Sequence, residues 1–280
     1  MNDALQLDKH AAQEAWAARV AANREQAERM REAPERPDFY APVASAFRAD
    51  PRRTGEPALD ALRSLAVPGE TWLDIGAGGG RYALPLALVA GEVIALDPSD
   101  GMLAILHEGM QEHGIPNIRT VKGRWPIVDA PAADVALIAH VAYDIERIGE
   151  FLDAMEAASR RLCVAVLQAR APAALAEPFW PPIHGEERAP LPSLPEFLAL
   201  QLARGRLCEV RLSQRPPLVY PSPEVAMGYL RQQLFIEAGG EKDRKLQEIG
   251  PGMFRAIEGG WSLSSGPVTV GVVSWEPRGL

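Results

Sequence analysis

The chain has 280 residues, with 29 Lys and Arg against 37 Asp and Glu, and so carries a formal net charge of −8. Its apolar fraction of 47% and charged fraction of 24% are those of an ordinary globular protein and exclude a low-complexity chain. Binding to phosphate backbones needs clustered Lys and Arg, so the acidic balance argues against a nucleic-acid partner.

Two cysteines, Cys163 and Cys208, are too few for a disulfide framework or a four-cysteine zinc site. The most apolar stretches, 83–90 and 135–142, are too short to cross a bilayer, and the N-terminus shows no secretory signal pattern. We therefore expect a soluble cytoplasmic protein that binds neither a membrane nor a metal.

The N-terminal part of the chain is predicted to be helical. Residues 3–32 are rich in the good helix formers Ala, Glu, Gln and Arg, and Trp16 and Val20 belong to an apolar stripe at helical spacing. A proline-bearing connector follows. We expect residues 1–56 to form a helical cap on a main domain of residues 57–280.

Strands and helices alternate in the middle of the chain. Strands are predicted at 71–75, 92–96, 117–121, 133–139 and 162–167, and helices at 57–65, 81–90, 101–113 and 144–160. Because the strands are apolar on both faces, they belong in a parallel sheet that is covered on both sides. The pattern predicts a doubly wound α/β domain whose ligand crevice lies at the carboxyl ends of the strands.

The last third of the chain is less regular. Residues 171–195 contain seven prolines and are predicted to be an ordered but irregular loop. The remaining predicted elements are helices at 194–203, 222–237 and 241–258 and strands at 207–212 and 268–275. The segment 220–260 would then be a helical lid inserted before the last strand.

The most informative stretch joins the first predicted strand to the next helix. It reads acid-x-Gly-x-Gly-x-Gly, with Asp74 two residues before Gly76 and further glycines at 78 and 80. Glycines at a strand end let the backbone approach a ligand that any Cβ would block. A dinucleotide fingerprint would need glycine at position 81, where this chain has Arg81. Asp97 ends the second strand 21 residues after Gly76, where its carboxylate can accept hydrogen bonds from ribose hydroxyls.

These motifs resemble those of the class I S-adenosylmethionine-dependent methyltransferases, whose Rossmann-like sheet has seven mostly parallel strands. The resemblance covers about residues 70–168, and it points particularly to bacterial small-molecule enzymes similar to ubiquinone-biosynthesis methyltransferases. Residues 73–80 match the first family motif, 95–103 look like the second, and 133–140 look like the strand whose end faces the methyl group. The resemblance implies S-adenosylmethionine as cofactor and, as residues that bind it, Asp74, Gly76, Ala77, Gly78, Gly80, Asp97, Pro98, Met102 and His140.

One position departs from the family pattern. Where the family commonly has Gly-Asp, with the aspartate accepting from the adenine amino group, this chain has Gly123-Arg124 followed by Trp125. A guanidinium cannot accept that hydrogen bond. We expect Arg124 and Trp125 to line the adenine site, with Trp125 stacking on the base or a backbone carbonyl taking the contact.

A sulfonium methyl group is already activated, so the protein must mainly hold donor, methyl and acceptor in line. Only some acceptors need a general base. His140, at the mouth of the predicted sheet, is the candidate base, and the alternative is a packing histidine at a strand end. Tyr143 would line the acceptor pocket or anchor the next helix, and Asp144 is more typical of a helix N-cap than of a catalytic acid.

Two further segments combine functional residue types. Tyr40 precedes the main domain, and in similar methyltransferases an aromatic N-terminal segment often folds over the cofactor; plain packing is the alternative. Residues 179–187 combine aromatic residues with His184, Glu186 and Glu187 after the fifth strand. This segment is either a functional loop or a proline-stiffened connector, and neighbours on a loop are poor evidence for a metal site.

Missing motifs narrow the acceptor. After the fourth strand the chain reads Ala-His-Val-Ala at 139–142, not the Asp/Asn-Pro-Pro-Tyr run of enzymes that methylate exocyclic amines of bases. We therefore predict methyl transfer from S-adenosylmethionine to a small-molecule acceptor by in-line displacement. Three alternatives stay open: a Rossmann-type NAD(P)-dependent oxidoreductase, a non-catalytic S-adenosylmethionine-binding protein and a nucleic-acid methyltransferase.

Overall fold

The computed structural model describes residues 8–32, 48–263 and 266–277. Within these ranges the strands are β1 (Thr71–Ile75), β2 (Glu92–Asp97), β3 (Ile118–Lys122), β4 (Ala133–Ala139), β5 (Ser159–Gln168), β6 (Glu209–Arg215), β7 (Arg255–Ile257), β8 (Gly260–Ser262) and β9 (Val268–Trp275). The helices are α1 (Lys9–Met30), α2 (Pro57–Leu65), α3 (Ala83–Ala87), α4 (Asp100–His113), α5 (Ile148–Ala158), α6 (Trp180–His184), α7 (Leu194–Ala203), α8 (Pro223–Leu234) and α9 (Glu241–Ile249).

Seven of these strands form one sheet in the order β3-β2-β1-β4-β5-β9-β6. Neighbouring strands run parallel except at β9, which is antiparallel to both β5 and β6. The chain moves outward from β1 to β3 and then returns to β4 on the other side, so the strand order reverses between β1 and β4. The predicted doubly wound α/β fold is confirmed, and its ligand crevice belongs at this switch point.

Both faces of the sheet are covered by helices. Helices α2, α3 and α4 pack on one face around Trp72 and Val93. Helices α1, α5 and α7 pack on the other face around Leu73 and Ile94. Trp72 and Leu73 are neighbours in β1 and both are fully buried, because successive side chains of a strand point to opposite faces. The continuous apolar strands seen in the sequence thus fill two cores.

The predicted N-terminal helix is present as α1. Trp16 and Val20 are each 2% exposed, and Trp16 Nε1 donates to the backbone oxygen of Ile145 at 2.9 Å. Arg19 pairs with Glu196 of α7 at 2.7 Å. The helix therefore lies against the loop after β4 and the first turn of α7.

A third group of buried residues stands outside the two sheet cores, and we call it the edge cluster. It joins α6, α8, α9 and the 3₁₀ segment Pro172–Phe179, with Trp180, Leu230 and Leu246 among its members. Because β9 is antiparallel, β5 and β6 end and β9 begins at the edge of the sheet where β1 also ends. The edge cluster therefore rises from the carboxyl edge.

Two predicted elements around the carboxyl edge differ from the structure. The helix expected at 144–160 spans only Ile148–Ala158 and has Arg147 at its N-cap, so the N-cap role expected of Asp144 is wrong. Residues 171–195 are not simply an irregular loop, because they contain the 3₁₀ segment and α6. Both of these short helices carry proline in the first turn, where its missing N–H costs no hydrogen bond.

The helix expected at 241–258 is also too long. It ends at Ile249, because Gly250-Pro251-Gly252 follows and continues as a short 3₁₀ turn. Residues 255–262 then form the β7–β8 hairpin, which the sequence did not predict.

Cys163 lies in β5 and Cys208 directly before β6, and both are free thiols. The strand between them is β9, which keeps them apart. Among the helices of the described ranges, none has the length and apolar character that a membrane span requires.

Candidate functional site

The glycine loop after β1 has a backbone conformation that glycine adopts readily and other residues do not. The φ angle is +77° at Gly76, +54° at Gly78 and +84° at Gly80. A Cβ on Gly76 would lie 2.6 Å from Cγ2 of Val141, just after β4. The N–H of Gly76 donates to the backbone oxygen of Leu96 in β2 at 2.7 Å. The loop therefore sits at the switch point, in contact with the ends of β2 and β4.

Asp97, at the end of β2, holds two backbone N–H groups. Its Oδ2 accepts from Gly78 at 2.8 Å and its Oδ1 accepts from Ser99 at 2.9 Å. Ser99 in turn caps α4 by accepting from the N–H of Met102 at 3.0 Å. Three residues expected at a cofactor site, Gly78, Asp97 and Met102, thus lie together, and Pro98 is exposed beside them.

Asp74 lies inside β1, two residues before the loop, and is 1% exposed. Its Oδ1 has no hydrogen-bond partner in the part of the chain that the structure describes. Burial, with a smaller contribution from the charge of Asp97, raises the pKa of Asp74 to about 7. A buried carboxylate oxygen without a partner, next to a glycine loop, is suited to a cationic ligand group.

The residues expected to line the adenine site do not lie together. Arg124 is exposed, whereas Trp125 is 7% exposed and its Nε1 donates to the backbone oxygen of Phe151 at 3.1 Å. The indole packs edge-on against the Phe151 ring, with centroids 6.5 Å apart. This position does not support the stacking role expected of Trp125, because its ring belongs to the sheet core. Tyr40, expected over the cofactor, lies outside the described residues.

His140 follows β4 at the same edge and lies between two tyrosines. Its φ of +57° is unusual for a residue other than glycine, and its N–H donates to Val166 of β5 at 2.8 Å. Nε2 lies 3.4 Å from the hydroxyl of Tyr82, and Nδ1 lies 3.4 Å from the hydroxyl of Tyr143. The Tyr143 hydroxyl accepts from the N–H of Gln168 at 2.7 Å.

One arrangement of protons satisfies this group of side chains. Because the Tyr143 oxygen receives the N–H of Gln168, its own O–H can donate to Nδ1 of His140. Nε2–H then donates to Tyr82, whose O–H lies 3.4 Å from Oε1 of Glu56. We call this series of contacts the His140 chain. It runs from the end of β5 through the imidazole to the Glu56 carboxylate.

The surroundings keep His140 neutral. Burial, together with the charges of Arg215 and Arg81, lowers the pKa of His140 to about 4. Burial also raises the pKa of Tyr82 and of Tyr143, so both phenols stay protonated near neutral pH. A neutral imidazole between two phenols can pass on a proton without carrying a lasting charge.

Sequence reasoning missed the carboxylate end of the His140 chain. Glu56 precedes α2 and accepts from Arg53 at 2.6 Å and from Arg81 at 2.9 Å. Burial opposes ionisation of Glu56, but the two guanidiniums lower its pKa overall. The only sequence signal is that Arg81 and Tyr82 follow the glycine loop directly; nothing connects Glu56 to them along the chain.

The segment that holds His184 is packed into the edge cluster. Nε2 of His184 lies 2.9 Å from the backbone oxygen of Leu234, and its ring centroid lies 4.4 Å from that of Trp180. Glu186 pairs with Arg29 of α1 at 2.8 Å. Within the described ranges, no three His, Cys, Asp or Glu side chains converge as a metal site would require.

The comparisons with known proteins point to one family. A family model described as a methyltransferase domain matches residues 73–162. An uncharacterized protein of Haemophilus influenzae is 43% identical over 70 residues, which are 24% of this chain and 26% of that protein. A ribosomal RNA small subunit methyltransferase G of Neisseria meningitidis is 37% identical over 81 residues, which are 28% of this chain and 39% of that enzyme. The chain thus spans well under half the length of these two curated relatives.

The fold has solved counterparts. A SAM-dependent methyltransferase from Geobacter sulfurreducens, in complex with S-adenosyl-L-homocysteine, aligns over 87% of this chain and 99% of its own. The TM-score is 0.56 and the sequence identity is 16%. At this identity the likeness establishes the fold alone.

Proposed function

We propose that this chain, whose residues 73–162 are a class I S-adenosylmethionine-dependent methyltransferase domain, transfers the cofactor's methyl group to a small-molecule acceptor. The observation that carries the proposal is the junction of the glycine loop with Asp97, which accepts from Gly78 at 2.8 Å at the switch point of the sheet. The finer similarity to ubiquinone-biosynthesis enzymes stays a prediction.

The residues at the switch point fit S-adenosylmethionine. The cofactor carries an α-ammonium group, and Oδ1 of Asp74 is a buried carboxylate oxygen without a partner in the described chain. The cofactor also carries ribose hydroxyls, for which Asp97 offers a carboxylate at the end of β2. Gly78 leaves open the place where a side chain would stand, with Met102 Sδ 3.9 Å away. We propose that Asp74 binds the ammonium group, Asp97 the ribose and the glycine loop the methionine part.

When bound, S-adenosylmethionine supplies a methyl group on a sulfonium, and the departing thioether needs no proton. The chain's own task is then to hold the acceptor in line with that methyl group, which can contribute several kcal/mol. The end of β4 adjoins the glycine loop, since Val141 approaches Gly76 closely. We propose that the acceptor lies over this end of β4, beside His140 and Tyr143.

The His140 chain is suited to removing a proton from the acceptor. An acceptor that gives a proton to Tyr143 lets the Tyr143 proton move to Nδ1 of His140. Nε2–H then moves to Tyr82, and the Tyr82 proton moves to Glu56. Each intermediate group ends with the protons it began with, and Glu56, which is 14% exposed and whose pKa is lowered, passes the extra proton on to solvent. In this proposal His140 relays a proton and does not store it, as its lowered pKa requires.

Two segments supply the cover of the site in this proposal. Residues 220–260 contribute to the edge cluster, which lies at the carboxyl edge of the sheet. Residues 1–56 contribute α1, which contacts the loop after β4 through Trp16. We propose that both segments shape a closed acceptor pocket and that Tyr40 belongs to this cover.

A nucleic-acid acceptor is the second candidate, because one curated relative is named as a ribosomal RNA methyltransferase. That similarity covers 28% of this chain and 39% of that enzyme. The net charge of −8 favours a small molecule, since RNA binding draws on clustered Lys and Arg.

The test is to incubate the purified chain with S-adenosylmethionine labelled in the methyl group, and with either a low-molecular-mass cell extract or total RNA. We expect label in the small-molecule fraction, together with release of S-adenosylhomocysteine. Asp97→Ala should lose most of this transfer. Asp100→Ala, an exposed acid three residues away that pairs with Lys122, should retain it.

Other outcomes point to the alternatives. Label in RNA alone would replace the small-molecule acceptor by a nucleic acid. Tight cofactor binding without release of S-adenosylhomocysteine under any condition would indicate a non-catalytic binding protein. Tight binding of NADH with no binding of S-adenosylmethionine would overturn the proposal in favour of an oxidoreductase.

A further inference from the structure

A cavity of about 360 Å³ lies between α1 and the chain that leaves β5. Arg19 and Asn23 of α1 form one wall, and residues between 169 and 174 and between 188 and 196 form the others. Alanines at several of these positions leave the space unfilled. Because β5 ends at Gln168, the cavity opens at the carboxyl edge of the sheet.

Three arginines line the cavity, and two of them are neutralised. Arg19 pairs with Glu196 at 2.7 Å, and Arg170 pairs with Glu177. Arg188 is 8% exposed, and in the described ranges its side chain contacts backbone oxygens and aromatic rings. The charge of Glu177 acts on Arg188 as well, but the ion pair of Glu177 within the described ranges is with Arg170. Burial lowers the pKa of Arg188, yet a guanidinium remains charged near neutral pH. The cavity therefore has an excess of positive charge.

The guanidinium of Arg188 is held in a fixed orientation. Its Nη1 donates to the backbone oxygens of Ala173 and Gln233, each at 3.3 Å. Its Cζ lies 4.7 Å from the centroid of the Trp180 ring. No hydrogen bond of the described chain uses Nε or Nη2, so one edge of the guanidinium is available for a two-point pairing with an oxyanion.

We propose that Arg188 binds a carboxylate or phosphate group of the methyl acceptor in this cavity. A buried guanidinium without a direct ion pair is costly, and an oxyanion of the ligand would supply that pair. The cavity wall begins at Ala169, directly after Gln168, whose N–H bonds the Tyr143 hydroxyl. In this proposal the acceptor places its anionic end at Arg188 and its reactive end beside Tyr143. The assignment to the acceptor rests on the proposed function.

The first experiment needs no turnover. The thermal midpoint of the purified chain is measured in inorganic phosphate, in benzoate and in chloride at equal ionic strength, and the Kd of each anion is measured by calorimetry. We expect phosphate or benzoate to raise the midpoint by a few degrees over chloride. Arg188→Met should abolish this shift and weaken anion binding about tenfold or more. The control Arg119→Met, at an exposed arginine of β3 that does not line the cavity, should keep the shift.

The variant also separates a binding role from a structural one. Replacing an uncompensated buried charge by an apolar side chain of similar length is often neutral or stabilising. We therefore expect Arg188→Met to keep or raise the midpoint in chloride, with an unchanged Kd for S-adenosylmethionine. The inference is overturned if neither anion shifts the wild-type midpoint, or if Arg188→Met retains the shift.

The second experiment tests the link to the acceptor. The labelled products of the methyl-transfer assay are separated on an anion exchanger, and we expect the label in compounds that carry a carboxylate or phosphate. Label only in neutral or cationic compounds would leave the methyltransferase proposal standing and overturn this one. Absence of any methyl transfer would count against the proposed function, while the thermal shift would still report on Arg188.

Discussion

The carboxylate of Asp97 holds the N–H of Gly78 at 2.8 Å, so the end of β2 fixes the shape of the loop that follows β1. Its second oxygen holds the N–H of Ser99, which caps α4. One side chain thereby positions both the glycine loop and the next helix. A ligand that reaches Asp97 meets a backbone already arranged to receive it, which limits the ordering that binding must impose.

Asp97→Ala should weaken the binding of S-adenosylmethionine by about 1–3 kcal/mol, because a charged hydrogen-bond acceptor for the ribose is lost. The measurement is the Kd by titration calorimetry, with circular dichroism to check that the fold is kept. Asp100→Ala, whose side chain is 78% exposed, serves as the matched control and should bind as the wild type does. A folded Asp97→Ala variant with an unchanged Kd would show that the ribose does not lie at β2.

The binding of S-adenosylmethionine should depend on pH through Asp74. Its pKa is raised to about 7, so below pH 7 the carboxyl is protonated and must release a proton to bind an ammonium group. The affinity should fall by up to about tenfold per pH unit as the pH drops below 7. Calorimetry in buffers of different ionisation enthalpy detects the released proton.

The raised pKa of Asp74 also predicts how the stability of the cofactor-free protein depends on pH. A carboxyl whose pKa is raised by folding contributes stability at low pH and loses it as the pH rises through 7. Asp74→Asn should remove both this loss and the pH dependence of cofactor binding. Cofactor binding by the wild type that is flat between about pH 5 and 7 would mean that Asp74 does not meet the ammonium group.

Much of the fold could be predicted because the signals are local. The bounds of β1 and β4 follow from short apolar runs, and those of α2 follow from a proline in its first turn and an amphipathic repeat. The end of α9 at Ile249 has a local signal in Gly250-Pro251-Gly252, which the prediction of a helix through 258 overlooked. The β7–β8 hairpin has strands of only three residues, and tertiary contacts such as the bridge between Tyr220 and Trp261 support it.

The residues of the candidate site likewise fall into those that local sequence signals predict and those that only the tertiary structure brings together. The glycine loop and Asp97 could be predicted, since the spacing that brings them together is written along consecutive elements. The contact of His140 with Tyr82, and through Tyr82 with Glu56, could not be predicted, because the packing of α2 and α3 brings these residues together. The left-handed backbone of His140, with φ at +57°, could not be predicted either, because a histidine in a sequence does not indicate a positive φ as a glycine does.

Gly80→Ala should lower stability more than its backbone conformation alone explains. A Cβ at Gly80 would overlap Leu106 Cδ1 and lie 3.0 Å from Leu84 Cγ, and φ there is +84°. Gly185 has nearly the same φ, +81°, but nothing within 4 Å of its Cβ position. Both substitutions should cost about 1 kcal/mol for the left-handed backbone, and Gly80→Ala about 1–3 kcal/mol more for overpacking.

Urea denaturation of the two glycine variants gives this difference directly. Equal decreases in the free energy of unfolding of the two variants would show that the glycine loop and α4 can move apart without loss of stability. In that case the loop would not be the rigid support for a cofactor that the Asp97–Gly78 contact suggests.

His140 should make the protein less stable as the pH falls. Folding lowers its pKa from the ordinary histidine value of about 6.5 to about 4. Between these two pH values the imidazole is protonated in the unfolded chain and neutral in the folded one. Its contribution to stability is therefore present at pH 7 and is lost through this window. His140→Asn, which tolerates a positive φ, should flatten this part of the profile. Parallel urea-denaturation profiles for the two proteins would contradict the lowered pKa.

Glu156→Gln should destabilise the protein by about 3–5 kcal/mol, because Glu156 is the carboxylate of a buried charge network. It accepts from Arg204 at 2.9 Å, from Arg206 at 2.8 Å and from Trp275 Nε1 at 3.1 Å, and so ties α5 to α7 and β9. Glu150→Gln on the same helix is the control, since Glu150 is 60% exposed and its ion pair should contribute under about 1 kcal/mol. The free energy of unfolding in urea measures both, and similar small losses would mean that the two arginines find other partners when the carboxylate is removed.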